Sequence, residues 1–207
     1  GQITSKHFVN NVNIYQKSFN TCFNKFYGSP KNTCILALLP SYLERQGSSL
    51  IYMVDDLLNQ SEHPLSGYFL HDLENLNHTL LTLKKAKQKT ILIGVTYALL
   101  DFIEHFKLDF KDLIVMETGG MKGKRKEMIR SELHKILCQG FGVAKIHSEY
   151  GMTELLSQAY STGDGLFNCP PWMKILLRDP SDPLSLIQSN KSGGINVIDL
   201  ANINSCS

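Results

Sequence analysis

The stretch Thr90-Ile91-Leu92-Ile93-Gly94-Val95, near the middle of the chain, decides the fold class. It is a continuous apolar run of strand length, and it leads directly into a helical pattern over Tyr97 to Phe106. Strand-like runs follow at Leu113 to Met116 and at Val143 to His147, on either side of a helical pattern from Lys126 to Cys138. Strands that alternate with helices of this length predict right-handed crossovers and a largely parallel sheet flanked by helices on both faces.

The chain upstream of Thr90 continues the same alternation. Apolar residues spaced three and four apart from Phe8 to Phe26 predict one long helix. Cys34 to Leu39 is typical of a buried strand, and Leu50 to Leu58 predicts a helix capped by Ser48 or Ser49. Asp72 opens a further helical pattern. We therefore expect an α/β nucleotide-binding core over residues 1–155.

The chain beyond Leu155 has shorter and more mixed segments. Strands are expected at Gln158 to Ser161, at Met173 to Leu177 and at Gly194 to Leu200, with turns between them. These predict a small, mostly antiparallel β appendage over residues 156–207, as part of the same large domain. The chain opens on Gly1 and closes directly after the last predicted strand. We therefore expect an internal fragment that is truncated at both ends.

Composition narrows the class of protein. The chain has 207 residues, 43% of them hydrophobic, and a formal net charge of +2, so it has material for one sizeable core and no charge excess typical of nucleic-acid binding. Its longest uncharged apolar runs fall short of the roughly 20 residues that span a bilayer, and no signal-peptide pattern is present. The five cysteines are scattered and predict neither disulfides nor a zinc site. We expect a cytoplasmic protein without a transmembrane segment.

The segment from Lys145 to Glu154 carries the strongest functional pattern. An apolar approach is followed at once by an aromatic residue, a glycine, a hydroxyl and a carboxylate. An ordinary strand-to-helix turn, with Glu154 complementing a helix amino terminus, explains these residues as well as a nucleotide and metal site does. Ligands bind beyond the carboxyl ends of parallel strands, where both this segment and Met116 to Gly120 are predicted.

Four places resemble the adenylate-forming enzymes, the superfamily of acyl-CoA synthetases, luciferases and peptide-synthetase adenylation domains. Tyr150 to Glu154 resembles its YGxTE signature. Gly1 to Phe8 is similar to the tail of its phosphate loop, Glu117 to Gly120 to its adenine loop, and Gly194 to Asn202 to the segment before its ribose-binding aspartate. The closest resemblance is to the branch of the acyl-protein synthetase of bacterial bioluminescence and the phenylacetate:CoA ligases.

The resemblance implies roles for individual residues. Tyr150 would stack on adenine, Thr153 would hydrogen-bond the α-phosphate, and Glu154 would bind Mg²⁺. The implied nucleotide-binding residues lie at two strand ends and are Gly119, Gly120, Glu149, Tyr150, Gly151, Met152 and Thr153. The implied activity is ATP-dependent activation of a fatty or aryl carboxylic acid, followed by transfer to a thiol of CoA, a carrier protein or an enzyme cysteine.

Several alternatives stay open. His7 and His147 are candidates for contact with the substrate, but an ordinary structural role explains each of them equally well. The basic run Lys122 to Lys126 fits either anion steering or plain surface. A nucleotide-binding or protein-interaction module on the same fold, without adenylation activity, is the alternative function. Its support is that the core of the phosphate loop, the ribose-binding aspartate and the catalytic lysine of the family are missing from the chain. The resemblance therefore implies that this chain alone is a poor catalyst.

Overall fold

The computed structural model describes residues 6–41, 47–121, 123–182, 184–187 and 191–206. The α-helices of this part of the chain are α1 (Val12–Tyr27), α2 (Ser49–Ser61), α3 (Leu73–Lys85), α4 (Thr96–His105) and α5 (Arg130–Phe141). Its strands are β1 (Phe8–Val9), β2 (Cys34–Leu38), β3 (Gly67–Tyr68), β4 (Thr90–Val95), β5 (Ile114–Thr118), β6 (His147–Tyr150), β7 (Ala159–Ser161), β8 (Phe167–Asn168), β9 (Met173–Arg178), β10 (Gly194–Asp199) and β11 (Ser205–Cys206). A short 3₁₀ helix, Leu200–Asn202, follows β10.

A seven-stranded sheet dominates the structure, with strand order β3-β2-β4-β5-β6-β7-β8. The pairs β2–β3, β2–β4, β4–β5 and β5–β6 are all parallel. Every residue of β2 and β4 is buried, as expected for apolar strands covered by helices. The predicted α/β class, with a largely parallel sheet flanked by helices, is confirmed.

Helix starts in the first half of the chain follow the predicted caps. The Ser48 hydroxyl accepts a hydrogen bond of 3.4 Å from the Ile51 amide at the start of α2. The Asp72 carboxylate accepts one of 3.0 Å from the Asn75 amide at the start of α3. Both side chains satisfy amide groups that have no partner within the helix.

Three predicted boundaries were wrong. Phe8 lies in β1, opposite Cys206, and α1 begins only at Val12. The helix expected from Lys126 begins only at Arg130, and Ile129, just before it, is 71% exposed. The strand expected from Val143 begins only at His147, because the Val143 amide is used to cap α5 by donating to the Cys138 carbonyl.

The chain divides into two compact units, with breaks within α1, directly after β6, within β7 and within β8. One unit comprises Phe23–Tyr150 and Tyr160–Phe167 and is called here the sheet unit. The other comprises the described residues of Gly1–Cys22, Gly151–Ala159 and Asn168–Ser207 and is called the hairpin unit.

The hairpin unit contains the predicted antiparallel element. Strands β9 and β10 pair antiparallel over six residues, from Gly194 opposite Arg178 to Asp199 opposite Met173. The strand expected at Gln158 to Ser161 is present as β7 but belongs to the large sheet. No helix in the described ranges combines the length and apolar character needed to cross a membrane.

Candidate functional site

The carboxyl ends of β4, β5 and β6 bring polar side chains together within the sheet unit. In the register of the sheet, Thr118 lies opposite Val95 on one side and Glu149 on the other. Glu117 likewise lies between Gly94 and Ser148. Because the three strands are parallel, these residues share the sheet edge at which α/β proteins bind ligands.

Thr118 and Glu149 form a direct contact across β5 and β6. The Thr118 hydroxyl donates a hydrogen bond of 2.7 Å to the Glu149 carboxylate. Burial raises the pKa of Glu149 to about 7, and the negative charge of Glu117 adds to the rise, while the Thr118 hydrogen bond opposes it. The Glu149 carboxyl group is therefore partly protonated at neutral pH.

Glu117 is a buried carboxylate that lies close to a hydroxyl, an imidazole and a guanidinium group. Thr96 Oγ1 lies 3.4 Å from its carboxylate, His134 Nε2 3.6 Å and Arg130 Nε 3.9 Å. Burial disfavours its charge, but His134, Ser148 and Arg130 outweigh burial and hold the pKa of Glu117 below its usual range. Glu117 is thus the ionised member of a carboxylate pair whose other member, Glu149, titrates near neutrality.

Two successive side-chain contacts connect Arg130, next to Glu117, with Tyr150, the last residue of β6. The Arg130 guanidinium lies over the Phe167 ring, 4.9 Å from its centroid. Phe167 in turn meets Tyr150 edge to face, with ring centroids 6.0 Å apart and planes at 69°. The Tyr150 ring therefore packs against Phe167, which in turn packs against Arg130.

Two glycines follow β5, and only Gly119 has a backbone conformation that requires glycine. Gly119 has φ +63°, a left-handed conformation that other residues adopt only with strain. A side chain added at Gly120 would meet the Glu127 carboxylate at 3.8 Å, an ordinary contact distance. The backbone conformation thus requires glycine at position 119, whereas position 120 has room for a methyl group.

The rest of the predicted signature lies in the hairpin unit. Met152 and Thr153 are exposed, and Glu154 is half-buried. The Leu155 amide donates to the Met152 carbonyl at 3.1 Å, which closes a turn around Thr153 and Glu154. The Asn202 amide donates to the Glu154 carbonyl. The carboxylate of Glu154 therefore extends from a turn whose backbone is fixed.

The two candidate histidines have structural partners. His147 is buried, and its Nδ1 lies 3.3 Å from the Tyr27 hydroxyl. Burial and the charge of Lys145 lower the pKa of His147 to about 4, so its ring is neutral at physiological pH. His7 Nε2 lies 3.0 Å from the Ser205 hydroxyl in the hairpin unit. Neither contact involves a residue of the predicted nucleotide site.

The sheet unit also contains a cavity of about 180 Å³ that no pattern in the sequence predicts. It lies beyond the ends of β3 and β4, and Lys124 places its ammonium group 4.6 Å from the centre of the Tyr97 ring. Its lining includes Leu70, His71, Leu73, Tyr97, Asp101 and Lys124. Arg130 and His134 were missed as well, although their spacing of four on a helix signals a shared face.

Lys122 and the first five residues, which hold most of the phosphate-loop resemblance, lie outside the described residues. Phosphate binding by the amino-terminal segment and anion steering by the basic run around Lys122 therefore stay predictions from the sequence.

No family model matches the sequence, and neither does any curated protein. Among solved structures, the chain is similar to a mutant form of coronafacic acid ligase from Pectobacterium brasiliense, with a TM-score of 0.55 and 18% identity. The similarity covers 92% of this chain but 34% of that one, so the chain spans about a third of the ligase. At this identity the match establishes a shared fold.

Proposed function

We propose that the protein takes part in ATP-dependent activation of a carboxylic acid, forming an acyl-adenylate that then transfers its acyl group to a thiol. One observation carries the proposal: Tyr150, with its ring packed against Phe167, ends β6 beside the glycine turn that follows β5. The shared fold with coronafacic acid ligase, which its name describes as a ligase for an acid, supports it.

The first step needs charge stabilisation and no general base. An ionised substrate carboxylate attacks the α-phosphorus of ATP, a new carboxyl–phosphorus bond forms, and the bond to pyrophosphate breaks. Tyr150 would hold adenine against its ring, with Gly119 and Gly120 admitting the nucleotide close to the backbone. Thr153 would donate a hydrogen bond to the α-phosphate as negative charge grows there.

We propose Glu154 as a ligand of a magnesium ion that the nucleotide also binds. In the described ranges no three His, Cys, Asp or Glu side chains are grouped as a metal site. Mg²⁺ is commonly held by one or two carboxylates together with substrate phosphates, and the half-buried Glu154 carboxylate supplies such a ligand. When bound, the ion would neutralise phosphate charge.

The second step breaks the acyl–phosphate bond. The sulfur of a thiol attacks the acyl carbonyl, a thioester forms, AMP leaves, and the thiol proton passes to solvent. Burial raises the pKa of Cys34 to about 11 and raises the pKa of Cys138 and Cys169 above the usual thiol range. Cys22 is fully buried. These four thiols are poor nucleophiles, so we propose CoA or a carrier protein as the acceptor.

Exchange of labelled pyrophosphate into ATP, measured on the full-length protein with a panel of fatty and aryl acids, tests the proposal. We expect exchange with at least one acid, and a loss of at least 100-fold in Glu154→Ala. Glu74→Ala, which removes an exposed carboxylate from α3, is the matched control and should exchange like the wild type. ATP binding without any exchange would instead favour a nucleotide-binding module.

A further inference from the structure

Asn202 uses both ends of its side-chain amide to hold the segment that follows Glu154. Its Nδ2 donates to the Glu154 carbonyl, and its Oδ1 accepts from the Leu156 amide at 2.8 Å. A primary amide is the side-chain group that supplies a donor and an acceptor side by side. Asn202 therefore spans the peptide backbone on both sides of Leu155 and fixes its path.

Asp199 reinforces the same contact from the end of β10. Its Oδ2 accepts from the Leu156 amide at 3.1 Å, and its Oδ1 accepts from the Ser157 hydroxyl at 2.7 Å. The same Oδ1 accepts from the Ala201 amide at 3.0 Å, which caps the 3₁₀ helix Leu200–Asn202. Asp199 thus positions both the segment after Glu154 and the short helix that carries Asn202.

The held segment is anchored in the interior of the hairpin unit. Leu156 is 3% exposed and Ser157 is fully buried. The Trp172 indole donates to the Ser157 hydroxyl at 2.9 Å, and the Ser18 hydroxyl lies 3.0 Å from the same atom. In contrast, Met152, two residues before Glu154, is 46% exposed. Glu154 therefore stands where a rigid, buried segment meets an exposed turn.

We infer that Asn202 and Asp199 are positioning residues for Glu154, holding its backbone so that its carboxylate meets a magnesium ion on the nucleotide phosphates. The inference rests on the proposed function of Glu154. Groups that orient a metal ligand typically change metal affinity by about 10- to 100-fold when they are removed. A looser Glu154 would lose magnesium affinity first, because a carboxylate binds such a hard ion with demanding geometry.

Asn202→Asp is the sharpest test, because it keeps the size of the side chain and replaces the donor with an acceptor. The Glu154 carbonyl then loses its hydrogen bond and faces an oxygen. Asn204→Asp adds the same charge two residues away at an exposed position and is the matched control. Magnesium affinity is measured by titrating MgCl₂ into protein with ATP, followed by the fluorescence of Trp172, the single tryptophan of the chain.

We expect Asn202→Asp to raise the magnesium concentration at half-saturation by about tenfold, with Asn204→Asp unchanged. Circular dichroism at the titration temperature confirms that each variant is folded. If Asn202→Asp does not fold, Asp199→Asn takes its place, because it keeps the shape of the side chain. An unchanged magnesium titration in the folded variant overturns the inference.

Failure of the proposed function has a separate signature. In that case the wild type and Glu154→Gln respond to magnesium identically, whatever the Asn202 variants do. Pyrophosphate exchange over a range of magnesium concentrations gives a second readout. A positioning role shifts its magnesium dependence, whereas a purely structural loss lowers its amplitude without a shift.

Discussion

Thr118 and Glu149, on neighbouring parallel strands, are joined by a hydrogen bond of 2.7 Å in which the threonine hydroxyl donates to the carboxylate. The bond links the two strand ends from which the predicted adenine loop and the YGxTE segment continue. The hydrogen bond also partly offsets the rise in the pKa of Glu149 that burial causes. The charge at this end of the sheet therefore depends on pH through Glu149.

Stability should fall as pH rises through the titration of Glu149. The pKa of Glu149 is about 7 in the folded state and 4.5 in the unfolded chain, so the folded state binds the proton more tightly. The resulting stabilisation is complete below pH 4.5 and is lost as the pH rises through 7. Between pH 4.5 and pH 7 we expect the deprotonation of Glu149 to lower the free energy of unfolding by about 2 kcal/mol. Glu149→Gln should remove this slope in urea denaturation at a series of pH values. A variant with the same pH profile as the wild type contradicts the assignment.

Replacement of His134 should remove one of the groups that stabilise the charge of the buried Glu117 carboxylate. His134→Leu is expected to lower the free energy of unfolding by about 2 kcal/mol at pH 7, because a buried charge loses a close partner. Glu117 has a lowered pKa, so its contribution is complete above pH 4.5 and is lost as pH falls further. The double variant with Glu117→Gln should recover part of the loss. Additive effects in this double-mutant cycle would rule out direct coupling.

The two glycines after β5 should respond differently to alanine. Gly119→Ala places a side chain at φ +63° and should cost about 1 kcal/mol of stability. Gly120→Ala meets no close neighbour and should leave the melting temperature within a degree or two of the wild type. Thermal denaturation of the pair measures the difference. Equal losses would mean that conformation is not what requires Gly119.

Phe167 should affect nucleotide binding through Tyr150. Phe167→Ala removes the ring that packs against both Tyr150 and Arg130, so ATP affinity should fall about five- to tenfold if Tyr150 stacks on adenine. Leu166→Ala, at a neighbouring side chain that is 72% exposed, is the control and should bind normally. Calorimetric titration with ATP compares the two. An effect on pyrophosphate binding as large as that on ATP would argue against a role at the base.

Patterns of local origin were predictable from the sequence. The strand at Thr90, the helix start at Asp72 and the hairpin from Met173 follow from periodicity, capping chemistry and turn residues. Errors appeared where a residue that fits a local pattern forms a backbone contact that the pattern does not predict. Phe8 fits the helical spacing, but it pairs with Cys206 at the other end of the chain. Val143 fits a strand, but its amide is used by the cap of α5.

The sequence by itself determined the alternation of strands and helices, the parallel sheet and the strand ends that carry Gly119 and Tyr150. These follow from the period of the apolar residues, which acts over a few positions at a time. Only the tertiary structure decided that Glu117 meets His134, that Phe167 packs against Tyr150, and that Asn202 holds the Glu154 backbone. Such contacts join residues 17 to 48 positions apart, from His134 and Glu117 to Asn202 and Glu154. They depend on strand register and packing, which no local pattern encodes.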